Sequence, residues 1–425
     1  APPLWSLCAS CGGWAALQLW QQFEFSREES DLRKAWPLLR GSAAFFESAL
    51  LHRRAGGALR WGPSHSPENA YLDGNGSTRF LSYDVALDLG VIAHTSRALA
   101  AGAEALRTLG ELSDDDADLT ARLSRLLLRV PGASKPRLDA DDGLAEWWAE
   151  GSAREGADEG HRHFSHLYPL HPGDGIDPLA QPALSRAARR SLLRRLRHGG
   201  GHTGWSASWA ASLWARLHDG GLAHAALRYT LHEFTSAALL GLHPKLGGQR
   251  SSGVKCMACV GRVGGPGDGI FQMDANGGIS AAVAEMLLQS HGSTCHVHLL
   301  PALPPAWPNG EVAGMRARGA MRVDMRWAAG RLTSVTVARS SPSRPNAAIV
   351  LRDGPVSVCC SSRVCGADEA ALAAATQTTV RALPNTGGGK LADEKPSEAS
   401  ETAAKSVWTW QITLDGSRAS WSMAL

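Results

Sequence analysis

Residues 295–312, CHVHLLPALPPAWPNGEV, close one kind of sequence and open another. Pro301, Pro304, Pro305 and Pro308 fall within a few residues, and no helix continues through such a run, because each proline lacks an amide N–H and crowds the preceding turn. Residues 314–340, GMRARGAMRVDMRWAAGRLTSVTVARS, then alternate apolar and polar side chains between glycines, the pattern of strands joined by hairpins. AAIVLRDG (347–354), PVSVCC (355–360), TTVRALP (378–384) and SVWTWQITLDG (406–416) continue it. GGGKLADEKPSEASETAAKS (387–406) is too polar to build a core and reads as a mobile insert.

Upstream the period is helical. GGWAALQLWQQFEF (12–25) reads as an amphipathic helix, Ser26 or Ser30 is expected to cap the next, and Pro37 to break it. Further helices are predicted over 83–110, 116–130, 181–198, 205–218, 221–240 and 277–292, with 62–78 as a loop. Helices first and strands after predict a mainly α domain (1–293) followed by a β domain (294–425) rather than an α/β sheet.

The totals exclude several classes. Net charge is +3 over 425 residues, so charge implies no nucleic-acid partner. No apolar run reaches the length of a membrane span. The chain opens on Ala1, which suggests a mature or truncated form. Asn75-Gly76-Ser77 fits a glycosylation acceptor and favours secretion or an extracellular location. Cys8/Cys11 and Cys256/Cys259 are both C-x-x-C pairs, but their separation lies outside zinc-ribbon spacing. Six arginines crowd 186–197 without interleaved aromatics, as on a solvated helix face.

Polar residues gather in four places: Pro63 to Asn69; Glu146-Trp147-Trp148; Arg162, His163 and His166 with Gly200 to Ser206; and Phe271 to Gly278. A carboxyl packed against indole rings loses water, which disfavours its charged form and suits a general acid. A helix-end glutamate on the surface fits these residues equally well, as a capping role fits Asp274. Two carboxylates on separate loops, Glu146 and Asp274, suggest glycoside hydrolysis, in which one group protonates the leaving oxygen and another acts at the anomeric carbon.

Taken in order, GPSHSPEN, LAEWWAE, GHRHFSHLYPLHPG, GGHTGWSASWAASLWARLHDG, FQMDANGG, AAVAEMLLQSH and LLPALPPAWPNGEVAGMRARG resemble glycoside hydrolase family 95 over roughly residues 12–340. The resemblance implies an inverting α-L-fucosidase, or an α-L-galactosidase, built on an (α/α)6 barrel followed by a β-sandwich-like domain, acting on a fucosylated glycan without metal or organic cofactor. It makes Glu146 the general acid and has Asp274 polarise the base. It places Glu68, Arg162, His163 and His166 around the sugar, and Trp147, His202 and Asn276 complete the expected binding set. Two departures stand out. Gly277 replaces an aromatic residue that follows the Asn of the fourth motif. The family's base, an asparagine of an Asn-x-Asn pair, has no counterpart among Asn69, Asn75, Asn276, Asn309, Asn346 and Asn385. The expectation is therefore an incomplete barrel with apolar surface exposed near Trp14, Leu17 and Leu19, and a poor catalyst. A non-catalytic sugar-binding protein of the same fold is the competing expectation.

Overall fold

The protein was analysed as a computed structural model, which describes residues 7–50, 52–53, 59–149, 152–153, 156–243, 270–292 and 296–340, and the strands named below beyond them. The chain divides into two compact units. One comprises Ala1–Phe23, Glu28–Leu287 and Pro301–Pro304; the other comprises Glu24–Arg27, Leu288–Leu300 and Pro305–Leu425.

The first unit carries helices α1 (Cys11–Ser26), α2 (Glu29–Ala49), α3 (Ala86–Leu109), α4 (Asp114–Leu127), α5 (Pro182–Arg197), α6 (Gly204–Arg216), α7 (Gly220–Glu233) and α8 (Met273–Leu287). Their ends follow local chemistry. Ser113 and Thr203 accept the amides of Asp116 and Ser206, capping α4 and α6, and Asp219 caps α7. Asp114, Asp115 and Asp116 complement the dipole of α4. Gly110 ends α3 at φ 74°, a left-handed conformation that costs glycine little.

Helices α1 to α4 share one core, in which Leu17, Leu39, Phe46, Ile92, Leu99 and Leu123 are fully buried. Each such side chain favours the folded state by about 1.5–3 kcal/mol relative to exposure. The expected exposure of α1 is thus corrected at Leu17, which this core covers. Trp14 meets Tyr168 edge-on at 5.0 Å, and Leu19 is exposed. Helix α6 packs against α7 and α8. Gly204 permits the close approach to α8: a Cβ there would lie 3.0 Å from Cβ of Ala275, and 2.8 Å from the carbonyl oxygen of Leu242.

Three local expectations are corrected. Neither Ser26 nor Ser30 caps α2; Glu28 takes the cap position in extended backbone, without a side-chain cap bond. Pro37 lies inside α2 rather than ending it, because Trp36 and Leu39 are buried on either side and packing outweighs one lost backbone bond. The upstream region also contains two-residue strands paired as hairpins: β1 (His52–Arg53) with β2 (Leu59–Arg60), β3 (Tyr71–Leu72) with β4 (Thr78–Arg79), β5 (Trp148–Ala149) with β6 (Ser152–Ala153), and β7 (Leu242–His243) with β8 (Ile270–Phe271). Helix α7 accordingly ends at Glu233, short of the predicted 240.

In the second unit, β11 (Gly310–Ala317), β12 (Met321–Ala328) and β13 (Arg331–Ser340) form an antiparallel meander, as their alternation requires. Along β12, Met321, Val323, Met325 and Trp327 are buried, while Arg322 and Arg326 face out. The sheet continues through β17 (Val407–Asp415) and β18 (Arg418–Ala424) to β16 (Val380–Leu383), which runs parallel to β18. A second sheet has the order β14 (Ala348–Val350), β15 (Val356–Cys359), β10 (His296–Leu299), β9 (Leu288–Gln289). The predicted insert at 387–406 and the pair Cys256/Cys259 lie outside the described residues. Cys8 and Cys11 are joined in a disulfide, so they are not free thiolates for a zinc ion. Among the described residues no helix is long and apolar enough to cross a membrane.

Candidate active site

Glu146 lies at the end of a short loop that three elements fix. The carbonyl of Glu146 accepts the Ala86 amide at the start of α3 (3.1 Å), and Ala145 donates to the carbonyl of Arg137 (2.9 Å). The third element is α5. Its Ser191 Oγ accepts the Leu144 amide at 2.7 Å, Arg190 approaches Asp142 at 3.3 Å, Arg194 pairs with Asp139 and with Asp141, and Arg195 pairs with Glu146. The arginines of this helix therefore do more than solvate a face, and the sequence expectation is corrected: several of them grip the loop. Arg195 is itself buried, on the stripe that also buries Ala188 and Leu192. That position, three residues after Leu192, is the signal that marks it off from its exposed neighbours Arg186 and Arg197.

The Glu146 side chain is only 6% exposed. Ser66 Oγ donates to its Oε1 at 2.5 Å, and Asn69 Nδ2 reaches Oε2 at 3.5 Å. Arg195 holds Oε2 as well, and His166 Nδ1 stands 3.7 Å from it. Ser66 and Asn69 belong to the loop that also bears Glu68, which adopts a left-handed backbone at φ 55°, uncommon for a residue with a side chain. Glu68 pairs with Arg162 and lies 3.6 Å from His163 Nε2. Sequence reading placed Asn69 on this loop but did not foresee that Ser66 and Asn69 would hold Glu146.

His163 packs against His161 at 5.0 Å and edge-on against Trp205 at 4.7 Å, and the His163 amide donates to His161 Nδ1. An indole wall is thus present beside His163, and it is Trp205. Trp147 packs on Tyr71 instead, at 5.9 Å. His202 is buried, with Nδ1 against the carbonyl oxygen of Gly199 at 3.0 Å. Burial pushes the His163 imidazole down to about 2, assisted by His161, Arg162, Arg195 and His202. Burial also holds His166 well below the usual histidine range, with the cations Arg195 and Arg194 acting in the same direction.

This has a consequence for acid stability. The unfolded chain's histidine takes up a proton below about pH 6.5, whereas native His163 stays neutral down to about 2. In that window the unfolded state binds more protons, so stability falls as pH falls, by at most roughly 1.4 kcal/mol per pH unit. The urea midpoint of the wild type should drop more between about pH 7 and about pH 5 than that of His163→Gln. Equal drops would show that His163 is not the group responsible.

Glu146 lines a cavity of about 340 Å³ together with Trp147, His166, Arg194 and Arg195. Two fully buried polar atoms of residues that line it, Trp147 Nε1 and His166 Nδ1, have no hydrogen-bond partner among the described residues. Asp274 lies elsewhere. It is the second residue of α8, exposed, with Oδ1 accepting its neighbour's amide, and it lines an open hollow of about 540 Å³ with Trp14, Gln18 and Pro172. The two carboxylates thus line different cavities. Asn276 engages the backbone with both ends of its amide, accepting from Gly241 at 2.7 Å and donating to Leu239 at 2.8 Å. A Cβ at Gly277 would meet no described residue within 4 Å. Among the described residues no cluster suits a metal ion.

A buried carboxylate, an arginine–glutamate pair and neutral imidazoles suit a hydroxyl-rich ligand, which needs many directional donors and acceptors and little net charge. The chain matches the glycosyl hydrolase family 95 catalytic domain over residues 2–287 and the C-terminal domain of glycoside hydrolase family 95 over 289–377, and it belongs to that family. It is 33% identical to "Alpha-L-fucosidase 2" of Arabidopsis thaliana over 331 residues, 77% of this chain and 36% of that protein. It is 30% identical to the "Probable alpha-fucosidase A" of Aspergillus oryzae over 233 residues, 50% of this chain and 29% of the relative. A protein of the same name from Aspergillus niger is 24% identical over 76% of this chain and 38% of its own length. The chain therefore spans about a third of the length of these curated relatives.

Proposed function

We propose that this chain serves a fucosidase-type glycoside hydrolase, taking terminal α-L-fucose from a glycan with inversion. The observation that carries the proposal is the Glu146 cavity: a buried carboxyl beside two orphaned polar atoms, Trp147 Nε1 and His166 Nδ1. Buried polar atoms are normally satisfied, so two unsatisfied ones in residues that line this cavity favour a polar binding site here. The names of the relatives supply the sugar.

In this proposal Glu146 gives a proton to the glycosidic oxygen and Asp274 would polarise the base that acts on water from the opposite face of the sugar; the asparagine expected as that base has no counterpart in this chain, so its own turnover is expected to be poor. Glu68, Arg162 and His163 bind hydroxyls, with His166, Trp147 and His202 completing the pocket and Asn276 holding the 239–241 turn beside α8. Residues 1–293 belong to an (α/α)6-type barrel and 294–425 to the β domain. Gly277, standing where the family carries an aromatic residue, leaves α-L-galactose as the alternative substrate.

A second proposal is favoured by one finding: Glu146 and Asp274 line different cavities. A chain that binds the sugar without cleaving it would have that arrangement. Calorimetry with L-fucose, beside turnover of an aryl α-L-fucoside, separates the two. Binding with turnover supports the hydrolase, and binding without turnover supports the binding protein. Arg162→Ala should weaken fucose binding at least about tenfold, the loss expected for a charge-assisted hydrogen bond. Unchanged affinity would restrict Arg162 to holding Glu68.

A further inference from the structure

We propose that Arg195 is the positioning residue of this site, fixing the direction of the Glu146 carboxyl and tying it to the segment that carries Arg162, His163 and His166. The proposal rests on the reading of Glu146 as the proton donor.

The geometry is that of a fork with two different targets. Arg195 Nη2 bonds Glu146 Oε2, and Nη1 donates to the carbonyl of Asp158 at 2.9 Å. With Ser66 on Oε1, both carboxyl oxygens are held, so the carboxyl plane cannot turn without breaking a bond. Asp158 accepts the amide of His161 at 3.2 Å, and His161 Nδ1 in turn receives the amide of His163. One guanidinium therefore registers the carboxyl of one loop against the imidazoles of another. A lysine has a single ammonium in place of the planar fork, and could not span both targets with the same geometry. The neighbouring Arg194 makes the contrast. It reaches Asp139 and Asp141 at a partly exposed edge, and neither carboxylate belongs to the proposed sugar-binding set.

Arg195 also influences the imidazoles. Burial is the main reason His166 resists protonation; Arg195 and then Arg194 act in the same direction, Asp139 opposes them, and Glu146 Oε2 stands 3.7 Å from its Nδ1. Removal of Arg195 leaves Glu146 as an unmatched anion beside His166.

The test follows His166 by ring-nitrogen NMR through a pH titration of the whole chain, in wild type, Arg195→Met and Arg195→Lys, with L-fucose calorimetry in parallel. In Arg195→Met the His166 titration should move up, because a cation that opposes its protonation is gone. In Arg195→Lys it should stay near wild type, because the charge remains. Fucose affinity in the lysine variant should fall about tenfold through the lost fork. A folded Arg195→Met with an unmoved His166 titration would overturn the proposal. If that variant does not fold, the lysine variant decides, and unchanged fucose affinity there would overturn it. Failure of wild type to bind L-fucose would instead sink the sugar reading, and the His166 titration would still decide the role of Arg195.

Discussion

Glu146→Gln should lose whatever fucoside turnover the chain possesses and should also be markedly less stable. The first effect comes from chemistry. A glutamine has the same shape but cannot take up a proton and pass it to the leaving oxygen, as the Arg195-paired carboxylate must in the proposed reaction, and general acid assistance is typically worth about 10²–10⁴-fold. The second comes from charge. Arg195 is buried and pairs with Glu146, so the substitution leaves a guanidinium inside the protein without its anion. Breaking a buried pair by removing one partner costs about 3–5 kcal/mol. Combining Glu146→Gln with Arg195→Met should restore part of that loss, because the stranded charge is gone. Urea unfolding of the two single variants and the double variant measures the coupling. Strict additivity would mean that the pair contributes nothing beyond its separate side chains.

Arg216→Ala should be the most damaging change away from the candidate site. Arg216 lies in α6 and is 1% exposed. Its Nε and Nη2 grip both oxygens of Glu285 in α8, at 2.6 and 3.0 Å. Its Nη1 donates to the carbonyls of Leu170 and Gly173, each at 3.1 Å. One side chain thus joins two helices to the turn that follows His166. The substitution empties a large buried volume, removes the bidentate grip on Glu285 and leaves two carbonyls without this donor. A loss of about 3–5 kcal/mol is expected from the ion pair alone. Arg216→Lys should recover only part, since a single ammonium cannot reproduce the bidentate grip. A thermal midpoint for Arg216→Ala close to wild type would show that the surroundings supply another partner.

Much of this fold was legible because its signals are local. The expected helix over 83–110 is α3, Ala86–Leu109, and that over 181–198 is α5. The meander of β11 to β13 followed from two-residue alternation between glycines. Pro37 misled because propensity is local whereas the packing of Trp36 and Leu39 is not. The site divides along the same line. Glu146 stood out by its tryptophan neighbours, and Glu68 and Arg162, far apart in sequence, are paired. Arg195 was hidden in a run of arginines, where composition says surface and only the phase of the helix says interior. No sequence rule locates a partner loop in space, so the roles of Ser66 and Asn69 emerge only in the folded chain.

The grip of α5 on the Glu146 loop bears on which sequence changes the protein can tolerate. Arg190, Ser191, Arg194 and Arg195 face that loop from adjacent turns, whereas Arg186 and Arg197 are exposed. With about 3.6 residues per turn, each added or deleted residue rotates everything beyond it by about 100°. Insertion of one residue between Ser191 and Arg194 would leave composition and charge almost untouched, yet it would swing Arg195 off Glu146. Drift at Arg186 or Arg197 can be free, while the spacing within the helix is fixed. For this segment the quantities kept across descendants should be its length and the identities of the loop-facing residues, rather than its overall composition.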